Sequence, residues 1–280
     1  ILFCLSLSRI LVYTGYKFFT KKRKYEVTKM DTKPVFHGSD IEKICRYYNL
    51  KKENIVKFGA NVNPLGLSPK ASQAIAEHVD ILSSYPDREY TSLRNTISDY
   101  CNIPADFILP GNGSSELISL LIQERAPKHT LILGPTYSEY SRELSFSGST
   151  QEYYHLQESA DFEPDIPDLC HRLEQGYDFL ILCNPNNPTS SAITQEDLRR
   201  LISFCTEKNI FVMIDETYVE FAPDISAITA VPLTREFTNL MVLRGVSKFF
   251  AAPGMRLGYG ITGNMDFLAK MREKQTPWSL

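Results

Sequence analysis

The sequence predicts an α/β protein, a three-layer αβα domain built on a mainly parallel sheet. Two features carry that expectation. From Thr91 onward, short apolar or β-branched runs alternate with stretches of helical period, the pattern of a sheet covered on both faces. The polar residues that stand out fall just after those runs, where open α/β sheets bind ligands. The runs at 107–109, 130–133, 179–183, 210–214 and 239–244 read as strands. The segments 114–123, 137–147 and 194–208 read as helices between them. In the first, Leu117, Leu120 and Leu121 share one side; the second follows a Gly-Pro-Thr break; in the third, Thr194 is the N-cap with Asp197 three residues on. A chain of 280 residues, 43% hydrophobic, can bury the core that such a fold needs. There is no internal repeat or low-complexity tract.

A net charge of -3 from 30 basic and 33 acidic residues creates no field that would gather nucleic acid or an acidic membrane. The six cysteines are scattered without a C-x-x-C pair or histidines at zinc-ligand spacing, so no metal site is expected and a reducing cytoplasm is. The first residues differ in character: 1–19 are mostly apolar, broken by Arg9, and Lys21-Lys22-Arg23-Lys24 follow. A membrane anchor with its basic flank inside is one reading, although the stretch is barely long enough and carries a charge. The favoured expectation is that Met30 is the natural start and that 1–29 are a non-native leader. Residues 30–70 then form an N-terminal segment belonging to a small domain and active-site cover, and 71–280 form the large domain.

Four segments carry possible chemistry. The first, FILPGNGSSE at 107–116, is a strand, a glycine turn and a helix start; it presents backbone N–H groups at Gly113 and the hydroxyls of Ser114 and Ser115 to an anion, or simply starts a helix. In DFLILCNPNNPT at 178–189, Pro185 and Pro188 stiffen a loop that holds Asn187, either as an oriented donor or as an ordinary turn. The next strand delivers Asp215, Glu216 and Tyr218 to its end, as caps or as ligand groups. Lys248 follows the last strand and precedes Phe249 and Phe250, where desolvation would lower its pKa, unless the amine snorkels to solvent.

Taken together, Asn187-Pro188-Thr189, Asp215-x-x-Tyr218 and Ser247-Lys248 followed by Gly254-Met255-Arg256-Leu257-Gly258 resemble the fold-type I pyridoxal-phosphate (PLP) enzymes, the aminotransferase superfamily of class I/II. Arg256 lies eight residues after Lys248, as in the histidinol-phosphate aminotransferase branch, and the resemblance runs from about His37 to Leu280. It implies that Lys248 holds pyridoxal 5'-phosphate covalently and that Asp215 pairs with its ring nitrogen. It implies further that Asn187 and Tyr218 hold the ring oxygen, and that Gly113, Ser114, Ser115, Ser247 and Arg256 surround the phosphate. Tyr137 matches the aromatic stacked on the ring. Tyr85 matches a tyrosine that reaches the partner subunit's cofactor, which implies a homodimer. Gly245 departs from the pattern, since related enzymes often carry a serine or threonine there.

The reaction turns on which bond at the substrate α-carbon is weakened, and so on what anchors the substrate carboxylate. In relatives that anchor is an arginine of a C-terminal small domain, which is missing from this chain if the resemblance holds. The segments His37-Gly38-Ser39-Asp40, GANVNPLG at 59–66, Tyr85-Pro86-Asp87 and QTPWS at 275–279 are similar to threonine-phosphate decarboxylases of cobalamin synthesis. His37 and Asn63 are the candidate substrate contacts, although Asn63-Pro64 also reads as a turn and a lone histidine as structural. Three readings stay open: a decarboxylase of threonine phosphate, an aminotransferase such as one acting on histidinol phosphate, and a PLP-binding sensor domain. The basic amino-terminal run is too short, and lacks the helix-turn-helix pattern, for the sensor to be attached to a DNA-binding module there.

Overall fold

The computed structural model describes residues 36, 40–56 and 59–280. By backbone contacts the chain divides into two units, Ile1–Asn61 and Val62–Leu280. In the first, helix α1 (Ile41–Tyr48) buries Ile41 and Ile44 and ends at Asn49 in the left-handed conformation. The residues expected to form a leader, and His37, lie outside the described residues.

The second unit holds a seven-stranded sheet. Helices α2 (Pro69–Glu77) and α3 (Thr91–Cys101) lead into strand β1 (Ile108–Asn112). There follow α4 (Gly113–Arg125), β2 (His129–Gly134), α5 (Glu139–Ser147), β3 (Thr150–His155), α6 (Ile166–Leu173) and β4 (Phe179–Cys183). The chain continues through α7 (Gln195–Glu207), β5 (Phe211–Asp215), β6 (Leu240–Gly245), β7 (Leu257–Ile261) and α8 (Met265–Lys274). The strand order is β1-β7-β6-β5-β4-β2-β3. Pairing is parallel from β6 through β3, while β7 runs antiparallel to both its neighbours, so it alone of the seven is reversed.

Side-chain alternation explains the layers. In β4, Phe179, Ile181 and Cys183 join the core formed with α4, α5 and α8, whereas Leu180 and Leu182 join the core formed with α6 and α7. Every residue of β4 is buried, as expected for a central parallel strand with both faces covered. Helix α7 shows why its sequence folds locally: the Thr194 side chain accepts from the Asp197 N–H, and Leu198, Leu201, Ile202 and Cys205 form its buried stripe. The αβα expectation is met.

Several boundaries move. Gly111 and Asn112, expected to lie in a turn after the first strand, belong to β1 and pair with Gly258 and Leu257. Tyr137 precedes α5 instead of opening it. Two strands were not anticipated. β3 (TQEYYH) is a partly exposed edge strand too polar to show an apolar run. β7 (LGYGI) is diluted by Gly258 and Gly260; close backbone requires the first, and the second lies against the movable end of the Met241 side chain. A Cβ on Gly258 would fall 2.4 Å from the Ser114 nitrogen, and one on Gly260 would fall 2.1 Å from Met241 Cε. Bare backbone on β7 is what lets the first turn of α4 settle over the sheet.

A buried ion pair ties the ends of β5 and β6. Arg244 donates to Glu216 Oε2 from Nε at 3.0 Å and from Nη2 at 2.8 Å, with side-chain exposures of 4% and 0%. Glu216 also accepts from Thr229 Oγ1 and the Ala230 N–H, so its charge is fully met. Removing one partner strands the other. Arg244→Met is expected to cost about 3–5 kcal/mol in urea unfolding, and the double variant Arg244→Met/Glu216→Leu less than that single one. A single variant no worse than the double would show that the pair does not act as a unit.

Candidate active site

The six strands that run in one direction bring their carboxyl ends to the same edge of the sheet, and the reversed β7 brings its start there. That edge collects the segment after β2 with Tyr137, the segment after β4 with Asn187, Asp215 at the end of β5, Ser247 and Lys248 after β6, and Arg256 just before β7.

Asp215 is the most constrained of these residues. It is 4% exposed, and its carboxylate accepts from the Tyr140 hydroxyl (Oδ2, 2.7 Å), the Thr217 N–H (Oδ1, 2.9 Å) and the Thr217 hydroxyl (Oδ1). Lys248 is half-buried, and its Nζ stands 5.8 Å from the centroid of the Tyr218 ring. Burial lowers its amine from the ordinary lysine value, and the charge of Asp215 acts in the opposite sense. Tyr137 connects the other side. Its phenol is pushed up to about 12, first by burial and then by Glu139, Asp215 and Tyr218, while Arg256 pulls it down. Tyr137 also meets Tyr140 edge-on with ring centroids 5.5 Å apart.

Arg256 is itself left-handed, with φ at 55°. Its guanidinium lies against the α-carbon of Gly113: a Cβ there would come within 2.5 Å of Nη2. Gly113 has φ at 74° and opens the 13-residue helix α4, so a cation and a helix amino terminus meet where only glycine fits. Ser114 is half-buried and Ser115 exposed at that turn, and Ser247 is half-buried beyond β6. Asn187 is half-buried between Pro185 and Pro188, in a loop fixed from beneath by Asn186, which donates to the Pro135 carbonyl and to Thr189. At Gly245 an added Cβ would meet only ordinary contacts, so packing does not dictate the missing hydroxyl there.

The two remaining predictions fare differently. Asn63 is tied to the lysine loop: its N–H donates to the Lys248 carbonyl (3.0 Å), its Nδ2 to the Phe249 carbonyl (2.9 Å), and its Oδ1 accepts from the Leu65 N–H. Tyr85 is 84% exposed, with its ring 5.2 Å from that of Trp278. Sequence reasoning missed Tyr140 and Thr217, the donors to Asp215. Thr217 could have been suspected from its place between Asp215 and Tyr218; Tyr140 had no signal beyond an aromatic at helical spacing from Tyr137.

This set of residues fits PLP. An amine of lowered basicity suits its aldehyde, and a buried carboxylate suits its ring nitrogen. An amide and a phenol are available for its ring oxygen, and a flat aromatic for its face. A helix amino terminus beside a guanidinium and serines suits its phosphate. Among the described residues no group of three or more His, Cys, Asp or Glu could hold a metal, and no helix is long and apolar enough to cross a membrane.

The fold and the site define the large domain of a PLP-dependent transferase. Residues 53–280 match the model of the family described as aminotransferase class I and II, and the chain belongs to that family, whose cofactor is pyridoxal 5'-phosphate. It is 31% identical over 245 residues to threonine-phosphate decarboxylase of Salmonella typhimurium, covering 87% of this chain and 66% of that relative. A Caldanaerobacter subterraneus protein given the same name provisionally is 38% identical over 221 residues, 79% of this chain and 59% of the relative. The crystal structure of histidinol-phosphate aminotransferase from Clostridium acetobutylicum superposes with a TM-score of 0.72 at 34% identity, over 79% of this chain and 64% of that one. The chain thus spans about two thirds or less of the length of the relatives it matches.

The direction of the Lys248 shift sets a labelling test. An amine reagent such as trinitrobenzenesulfonate attacks only the neutral amine, so at pH 8 Lys248 should react faster than its share of exposed surface predicts. Asp215→Asn removes the charge that favours the ammonium and should speed the reaction further. Peptide mapping of the label checks both; slower labelling in Asp215→Asn would contradict the electrostatic picture.

Proposed function

We propose that this chain carries the cofactor site of a cytoplasmic, homodimeric PLP enzyme that decarboxylates threonine phosphate or a closely related phosphorylated amino acid. The observation that carries the PLP reading is the half-buried Lys248 amine facing Tyr218 within the field of buried Asp215, at the ends of neighbouring strands. When bound, PLP supplies an electron sink for a bond broken at the substrate α-carbon. Lys248 holds the cofactor and is the group that takes or returns a proton at that carbon. Asp215 keeps a proton at the ring nitrogen. Asn187 and Tyr218 hold the ring oxygen, and Tyr137 covers the ring face. Gly113, Ser114, Ser115, Ser247 and Arg256 bind the phosphate dianion through N–H, hydroxyl and guanidinium donors. Tyr85, with its ring exposed, is assigned to the partner subunit's site. His37 and Asn63 are assigned to the substrate side, Asn63 through its hold on the Lys248 loop.

In decarboxylation the bond from the α-carbon to the carboxylate breaks, carbon dioxide leaves and Lys248 returns a proton to the α-carbon; the product is an amino alcohol phosphate. The decarboxylase reading is supported by the segments at 59–66, 85–87 and 275–279 and by the names of the two sequence relatives. Transamination is the second reading, favoured by the close superposition of the histidinol-phosphate aminotransferase structure. A product assay on the full-length protein with threonine phosphate, with and without 2-oxoglutarate, separates them. Carbon dioxide released without an acceptor is the expected result; glutamate formed only with the acceptor would make it an aminotransferase. Silence in both would move the reading to another substrate or to a PLP-binding sensor. Lys248→Ala should lower turnover by at least about 10³-fold and abolish the covalent PLP adduct trapped by borohydride. An adduct that maps to another lysine would remove the basis of the proposal.

A further inference from the structure

We propose that Tyr140 and Thr217 are positioning residues that aim the Asp215 carboxylate, leaving it a single acceptor direction, on Oδ2, for a protonated ring nitrogen. The inference rests on the assignment of Asp215 to the cofactor made above and extends it to two residues that do not themselves touch the ring.

An ionised carboxylate offers about four lone-pair positions. Both on Oδ1 are taken within the turn that follows β5, by the N–H and the hydroxyl of Thr217. One on Oδ2 is taken by the Tyr140 hydroxyl at 2.7 Å. Tyr140 reaches it from helix α5, on the layer above the sheet, and is 0% exposed, packed with Leu144, Ile181 and Met213 in the core beneath the site. Its ring is held edge-on by Tyr137. Burial, and after it the adjacent Asp215, hold its phenol well above the ordinary tyrosine value, so the hydroxyl keeps its proton and acts as a donor. The carboxylate is thus fixed from two independent elements, the β5 turn and α5, and cannot rotate without losing three hydrogen bonds in a place where water cannot replace them.

Each donor withdraws charge from the carboxylate and weakens its pull on any further proton. A proton shared between Asp215 and a pyridine nitrogen is thereby left on the nitrogen. Deleting one donor should shift that proton toward the carboxylate and loosen the aim of Oδ2.

The test uses the full protein loaded with PLP labelled with 15N in the ring. Tyr140→Phe keeps the ring packing and removes only the hydroxyl; it is expected to move the 15N resonance toward the value of unprotonated pyridine and to weaken PLP binding by roughly tenfold. The borohydride adduct at Lys248 should still form in the variant, since the amine is untouched. Thr217→Val is the second variant, and should move the resonance in the same direction if Tyr140→Phe fails to fold; Thr217→Ser, which restores the hydroxyl, should return it. A merely structural role would change the melting temperature without moving the resonance. A resonance unchanged in whichever of these variants folds overturns the inference. Absence of PLP binding or of a Lys248 adduct in the unaltered protein is a different failure, since it removes the assignment of Asp215 on which the inference rests.

Discussion

The buried pairing of Arg244 with Glu216 is the constraint on which the geometry of this molecule depends. Glu216 directly follows Asp215, and Arg244 stands four residues before Lys248, so one ion pair ties together the two segments that carry the carboxylate and the amine. Its desolvation is tolerable because the charges meet through two hydrogen bonds and further groups support them: Thr229 and the Ala230 N–H complete the acid, and Thr229 also accepts from the guanidinium. A second acid, Glu220, lies 3.9 Å from the same arginine with side-chain exposure of 2%, and burial raises its carboxyl from the ordinary range. The arginine is therefore shared unequally, with its strong hydrogen bonds given to the acid that sits next to the site.

Around that strut the site is assembled by convergence. Asp215, Lys248, Asn187 and Tyr137 each arrive from a different strand end, and none depends on another for its local fold. Reversing β7 is what brings in Arg256, because only a strand of opposite sense begins at the edge where the others finish. The same strand carries Gly258, which admits the first turn of α4 and sets Gly113 against the Arg256 guanidinium. An amino terminus and a cation are thus brought together by the absence of two side chains, an arrangement that suits an anion.

Much of this was legible beforehand. Central strands such as β4 are apolar throughout because both faces are covered, and α7 announces its start through Thr194 and Asp197. Asp215, Tyr218, Asn187, Lys248 and Arg256 could be picked out because their order and spacing resemble one family. What escaped is instructive. β7 was hidden because glycines chosen for close packing carry no strand propensity, and β3 because an edge strand needs no apolar run. Tyr140 escaped because its neighbours in sequence give no hint that its hydroxyl crosses to Asp215, 75 residues away.

The sequence by itself determined the layer architecture, the apolar central strands, the family and the candidate residues for a cofactor site, because these are written in local periodicity and in motifs of fixed spacing. The tertiary structure decided the strand order, the reversal of β7, the role of its glycines and the donors that aim Asp215. Those depend on which distant segments are brought side by side, and a hydrogen bond or a close backbone approach between them leaves no periodic trace in either segment alone.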